Sequence, residues 1–167
     1  MTERKSLHWK AFLLALGIST AVFLPFVLYN GGYFIFIGDF NAQQIPFYKL
    51  VHQAVREGNF GWSWTTDLGA NFIASYSFYN LTSPFFWLTI PFPNDWVPFL
   101  MAPLLILKNA CAALTSYFYL ARFVRRREFA VLGSLLYAFS GFMFYNTFFN
   151  HFHEVVVFFP LLLIGME

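Results

Sequence analysis

The sequence predicts an all-α, polytopic transmembrane protein, and three observations carry that reading. Ala11 to Tyr29 is an uncharged apolar run of nineteen residues, about 28 Å as a helix, close to the hydrocarbon thickness of a bilayer. The chain is 59% hydrophobic and 11% charged, whereas soluble domains carry about 25% charged residues. Its 25 phenylalanines suit lipid-facing and interfacial surfaces but would make a soluble surface aggregate.

The first predicted span is Ala11 to Tyr29. Arg4, Lys5 and Lys10 precede it, as in a signal peptide. No small-x-small cleavage site follows, and the run is longer than a signal core, so an uncleaved helix is expected. The second span is Trp96 to Ala121, with Pro98 and Pro103 near its start and Lys108 inside. The third runs from about Phe129 to Phe149. A fourth begins at Val155 and meets the chain end at Glu167 after about 20 Å, too short to cross. The whole chain, 1–167, therefore reads as the N-terminal membrane region of a longer protein.

Seven of the ten Lys and Arg lie at Arg4, Lys5, Lys10, Arg122, Arg125, Arg126 and Arg127. The positive-inside rule places the N-terminus and the loop between the second and third spans in the cytoplasm of a multi-pass cell-membrane protein. Asn30 to Asp95 is then a long external loop, and His151 to Glu154 is a short one. Asp39, Glu57, Asp67, Asp95 and Glu154 fall outside. The basic cluster has no interleaved aromatics in a soluble domain, which argues against nucleic acid as a partner. Membrane lipid is the expected one. Cys111 lies within a span and is expected to pack.

The external loop opens with Tyr33 to Ile37 and then Gly38-Asp39. An amphipathic helix follows from Pro46 to Gly58. Phe47, Leu50, Val51, Ala54 and Val55 recur at helical spacing opposite Lys49, His52, Gln53 and Arg56. It either lies flat on the membrane surface or packs on the ends of the spans. Asn59 to Tyr79 reads as an ordered loop with aromatic walls. Ser83 to Pro93 is apolar but too short to cross.

Three features are candidates for chemistry. Asp39 either caps a turn or, among Phe34, Phe36, Phe40 and Phe47, serves as a partly desolvated general base for a sugar or polyol hydroxyl. His151-Phe152-His153-Glu154 offers imidazole and carboxylate ligands to a metal or a phosphate, or else caps two helices in a wet loop. Its spacing does not match the His-Glu-x-x-His zinc helix. Lys108 is expensive inside a span, about 2.5–3.5 kcal/mol on insertion scales. It calls for a carboxylate, a lipid phosphate, or an acid beyond this chain.

Gly38-Asp-Phe-Asn-Ala-Gln-Gln-Ile-Pro-Phe-Tyr48, Leu68-Gly-Ala-Asn-Phe72, Tyr79-Asn-Leu-Thr-Ser-Pro-Phe85, Gly133-Ser-Leu-Leu-Tyr-Ala-Phe-Ser-Gly141 and Asn150-His-Phe-His-Glu154 occur in that order. This series resembles the N-terminal part of the bacterial YfhO-like membrane proteins, over nearly the whole chain. The resemblance implies a GT-C-type glycosyltransferase fold. It also implies transfer of a sugar from a polyprenyl-phosphate donor to a cell-envelope polymer such as teichoic acid. The catalytic acid of the first external loop falls on Asp39, with Gln43 and Gln44 beside it at the substrate. The second acidic position falls on Glu154, where His151-x-His153-Glu154 stands in place of an Asp-x-Asp pair. Asp39, His153 and Glu154 would hold a divalent Mg or Mn if one is used. His151, His153 and Lys108 would offset the departing phosphate, and Trp62, Trp64, Tyr76 and Tyr79 would hold sugar faces. The competing readings are a transporter or lipid-handling or assembly subunit, in which Lys108 and the proline-marked span serve transport, and an interfacial structural module.

Overall fold

A computed structural model describes residues 7–66 and 68–167. Arg4, Lys5 and Asp67, which entered the charge argument, lie outside the described residues. Helix α1 covers Leu7–Tyr29 and α5 covers Val97–Leu120. Three stretches are long and apolar enough to cross a membrane: Leu7–Tyr29, Asn94–Leu120 and Arg127–Phe149. The chain is thus an all-α membrane protein; a two-residue hairpin, β1 (Trp62–Ser63) with β2 (Ala70–Asn71), is the sheet among the described residues.

Helix α5 is the hub, packed on by α1, by α6 (Arg127–Ala138) and by α8 (Phe152–Met166). Small side chains allow this. Ala11, Ala15 and Ser19 of α1 are buried at four-residue spacing, and so are Ala130, Ser134 and Ala138 of α6. Such stripes let backbones approach closely where lipid supplies no hydrophobic drive between helices. Helix α5 answers with buried Ala102, Ala110, Ala112, Ala113 and Ser116. The other face of α1 turns Leu13, Ile18, Val22 and Phe26 outward.

The third apolar stretch is not one helix. It stops at Ala138, where Phe139 and Ser140 leave helical geometry, and resumes as α7 (Gly141–Tyr145) and a 3-10 turn, Asn146–Phe149. Hydropathy cannot see this break, because the residues on both sides stay apolar. Helix α8 begins at Phe152, three residues before the predicted Val155, and carries His153 and Glu154 in its first turn.

Two ion pairs set the height of α8. Lys108 Nζ lies 3.0 Å from Glu154 Oε1, and Arg122 Nη2 lies 2.8 Å from Glu167 Oε2. The members of these pairs are 14 and 13 residues apart along the chain, so α5 and α8 run parallel. Lys108 is the twelfth of the 24 residues of α5. The His151–Glu154 segment, expected as a loop beyond the helix ends, therefore sits at the mid-height of α5. The chain reaches it there because the broken third stretch turns over early.

Residues 30–66 and 68–96 fold over the N-terminal half of α5. A π-helical turn, Phe40–Gln44, leads into α2 (Ile45–Glu57), which Gly58 ends at φ 70°, a left-handed conformation that suits glycine. Helix α2 is packed rather than peripheral: Tyr48 meets Phe86 at 5.5 Å between ring centres, and Phe47 meets Tyr76 and Tyr79 at 5.2 Å. His52, placed on its polar face by the periodicity, is fully buried, with Nε2 3.1 Å from the Thr89 carbonyl. That partner lies 37 residues on, so the helix pattern alone could not reveal it. Helix α3 (Phe72–Tyr76), a second π turn (Ser77–Leu81) and α4 (Pro84–Trp87) complete the layer.

Candidate functional site

Two polar neighbourhoods meet under this layer. The first is built on Lys108. Its ammonium has three protons and three acceptors: the Asn150 carbonyl at 3.0 Å, Asn150 Oδ1 at 3.2 Å and Glu154 Oε1 at 3.0 Å. The Phe85 ring lies 5.6 Å away. Glu154 also accepts from the Ser83 hydroxyl at 2.5 Å, and Ser83 Oγ caps α4 by accepting from Phe86 N at 3.0 Å. A buried charge is tolerable only when paired and hydrogen-bonded, and here every proton of the lysine is taken. The acid that Lys108 calls for is thus Glu154, within this chain.

Two π turns close over this pair. The first contributes Gln44, whose Oε1 accepts from His151 Nδ1 at 3.2 Å. The second contributes Tyr79, whose ring lies 4.8 Å from that of His151. Phe78, Phe149 and Phe152 complete the walls around the imidazole. Burial, and then the Lys108 charge, hold the His151 pKa down to about 4, so the ring is neutral near pH 7. Burial and the Glu154 carboxylate raise the Tyr48 phenol above its usual range. Its hydroxyl, Gln44 Nε2, Asn150 Nδ2 and both polar atoms of the Asn80 amide are buried without a hydrogen-bond partner. Single π turns of this kind concentrate at functional sites.

The second neighbourhood is Asp39. It is half-buried at the entry of the first π turn, five residues before Gln44, and its side chain makes no capping bond. The turn is instead fastened by Asn41 Oδ1, which accepts from Phe36 N at 3.3 Å, and by Phe40, fully buried against Phe34. Among the described residues the Asp39 carboxylate has no hydrogen bond and no ion pair. Gln43 is half-buried beside it.

The other candidates are dispersed. Trp62 and Trp64, 53% and 79% exposed, touch each other at the hairpin. Trp62 lies over Gly69, where φ is 105° and a Cβ would come within 2.9 Å of the indole nitrogen. Asp39, His153 and Glu154 are not gathered as metal ligands. Glu154 is held by Lys108 and Ser83, and His153 Nε2 lies 2.7 Å from the Met143 carbonyl. No group of three His, Cys, Asp or Glu able to hold a metal occurs among the described residues. These side chains therefore do not fit a divalent cation, and no step is derived through one.

Sequence reasoning missed Ser83, Tyr48 and Asn109. Asn109 stands beside Lys108 inside an apolar span, itself a signal, and donates to Ser19 Oγ at 3.0 Å. Ser83 carried the Ser-Pro signature of a helix start, but nothing announced its bond to a residue 71 positions away.

Neither a curated protein nor a solved structure matches the chain. The family model described as bacterial membrane protein YfhO matches residues 11–167, and the chain belongs to that family.

Proposed function

We propose that the protein is a membrane glycosyltransferase that moves a sugar from a polyprenyl-phosphate donor to an external cell-envelope polymer such as teichoic acid. The observation that carries this reading is Asp39: a half-buried carboxylate at the entry of an ordered π turn, with no partner among the described residues to neutralise it. A general base needs that combination of fixed position and uncommitted lone pairs. Membership of the YfhO family supports a membrane protein compatible with this chemistry.

In the proposed step Asp39 accepts the proton of an acceptor hydroxyl. That oxygen bonds to the anomeric carbon as the bond from the carbon to the phosphate oxygen breaks. The polyprenyl phosphate leaves from the opposite face, inverting the centre. Lys108 is not assigned to the departing phosphate, because its three protons are already engaged. Its proposed part is to hold the Asn150–Glu154 segment, and with it His151 and Gln44, beneath the Asp39 turn.

The test compares wild type with Asp39→Asn in the intact protein in membranes, following a radiolabelled sugar from its polyprenyl carrier to the polymer. Transfer should fall about 100- to 10,000-fold, the usual worth of a general base, with insertion unchanged. An unimpaired variant overturns the assignment. One observation supports a second reading, a transporter: a broken helix beside a buried ion pair at mid-height is how transporters build midplane sites. Substrate flux in proteoliposomes that survives Asp39→Asn but not Lys108→Met would select it.

A further inference from the structure

Ser19 is twelve residues from the start of α1, about 18 Å along its axis. Asn109 and the break after Ala138 lie level with it, and between them is a cavity of about 390 Å³. That is far more than one water occupies and within the range of small-ligand sites. Val22, Phe139 and Phe144 line it and are 53%, 37% and 76% exposed, so its mouth opens sideways, at the height where α1 is dressed for lipid. Irregular backbone at membrane depth is tolerated where it is buried in protein or lines a cavity, and here the break lines one.

Five polar side chains line the cavity: the hydroxyls of Ser19, Ser140 and Thr147, the last donating to the Met143 carbonyl at 3.3 Å, and Asn109 and His153, which each hold an unpartnered acceptor. Asn109 Nδ2 is spent on Ser19, leaving Asn109 Oδ1 buried without a partner. His153 Nε2 faces a carbonyl, which can only accept, so that nitrogen carries the proton. His153 Nδ1, also buried and unpartnered, is then an acceptor. Asn109 and His153 are 7% and 2% exposed. Two acceptors call for a donor. Among the described residues no Lys, Arg or acidic side chain lines the cavity, so neither an anionic headgroup nor an ammonium finds a counter-charge among them. We infer that this cavity binds a neutral lipid through its hydroxyl group, the chain lying in the apolar mouth and the O–H meeting Asn109 Oδ1 and His153 Nδ1. The inference is independent of the glycosyltransferase reading.

The experiment uses the protein in proteoliposomes with a diazirine-bearing long-chain alcohol, its methyl ether and its phosphate monoester. The alcohol should crosslink within residues 19–23 or 138–147. The ether, which lacks only the donor, should label about tenfold less, as expected for the loss of one hydrogen bond shared between the two acceptors. The phosphate should do no better than the ether. Val22→Trp, at an exposed position, should bring alcohol labelling down to the ether's level. Asn109→Leu should shrink the preference for the alcohol over the ether while ether labelling stays constant. An isoprenoid alcohol and a diacylglycerol, as unlabelled competitors, distinguish two natural sources of that chemistry. Displacement by either supports the inference, and displacement by neither overturns it. Equal labelling by alcohol and ether, strongest labelling by the phosphate, or no labelling of protein that keeps its thermal transition also overturns it, the last leaving water as the occupant.

Discussion

Asp39 and Glu154 lie on opposite sides of one contact, Gln44 against His151, yet their surroundings differ in kind. Glu154 is claimed by a lysine and a serine and is 14% exposed. Asp39 is half-buried, and among the described residues nothing claims it. Two carboxylates that look alike in sequence are thereby sorted into a charge that holds the fold and a charge available to a ligand. The rule behind the sorting is electrostatic: a buried ion is kept only where partners repay its desolvation, and one left at an accessible edge keeps its reactivity.

The largest effect that would break this comparison lies at the ion pair. Lys108→Met should cost about 3–5 kcal/mol of stability, because it strands Glu154 against Ser83 without its cation. The double variant Lys108→Met with Glu154→Leu should recover most of that loss, since two apolar side chains of similar volume can replace a buried pair. Detergent thermal denaturation of the single and double variants closes the cycle. A single variant that is as stable as wild type would return Glu154 to the pool of available acids and undo the distinction.

A second effect tests the imidazole between the two regions. The folded pKa of His151 is about 4, below its ordinary value of about 6.5. Between those values the unfolded chain binds more protons, so stability rises with pH there. It is fully present above about 6.5 and is lost as pH falls through 4. His151→Phe keeps the ring among Phe78, Phe149 and Phe152 and should flatten this part of the profile. The difference between the two curves isolates His151 from His153. Parallel curves would mean that burial and the Lys108 charge do not hold the ring neutral in the folded protein.

The fold class was legible because a bilayer imposes length and apolarity, which hydropathy measures directly. What hydropathy does not carry is where a stretch turns back. Phe139-Ser140-Gly141 interrupts the third stretch without lowering its apolar character, and only the Ser-Gly step hinted at a break. From that one turn follow the depth of His151–Glu154, the pairing of Lys108 with Glu154 and the cavity beside Asn109. Lys108 could be recognised as needing a partner, since an intramembrane cation is costly, but choosing Glu154 required the turn. His52 shows the same limit at smaller scale: its helical phase is polar, and its partner comes from a distant loop. Asp39 stood out through its motif. Its lack of a partner is a property of the fold.

The smallest expected effect is the sharpest. If Asp39 is uncommitted, Asp39→Asn removes no hydrogen bond, no ion pair and no packing, and the change in stability should stay within about 0.5 kcal/mol, as for surface substitutions away from structural features. The same detergent melts used for Lys108→Met measure it. A loss of 2 kcal/mol or more would mean that Asp39 holds the π turn together, and a fall in transfer for that variant would then report misfolding rather than lost chemistry. Normal stability with lost transfer separates the two carboxylates by function, because the fold then depends on one of them and the reaction on the other.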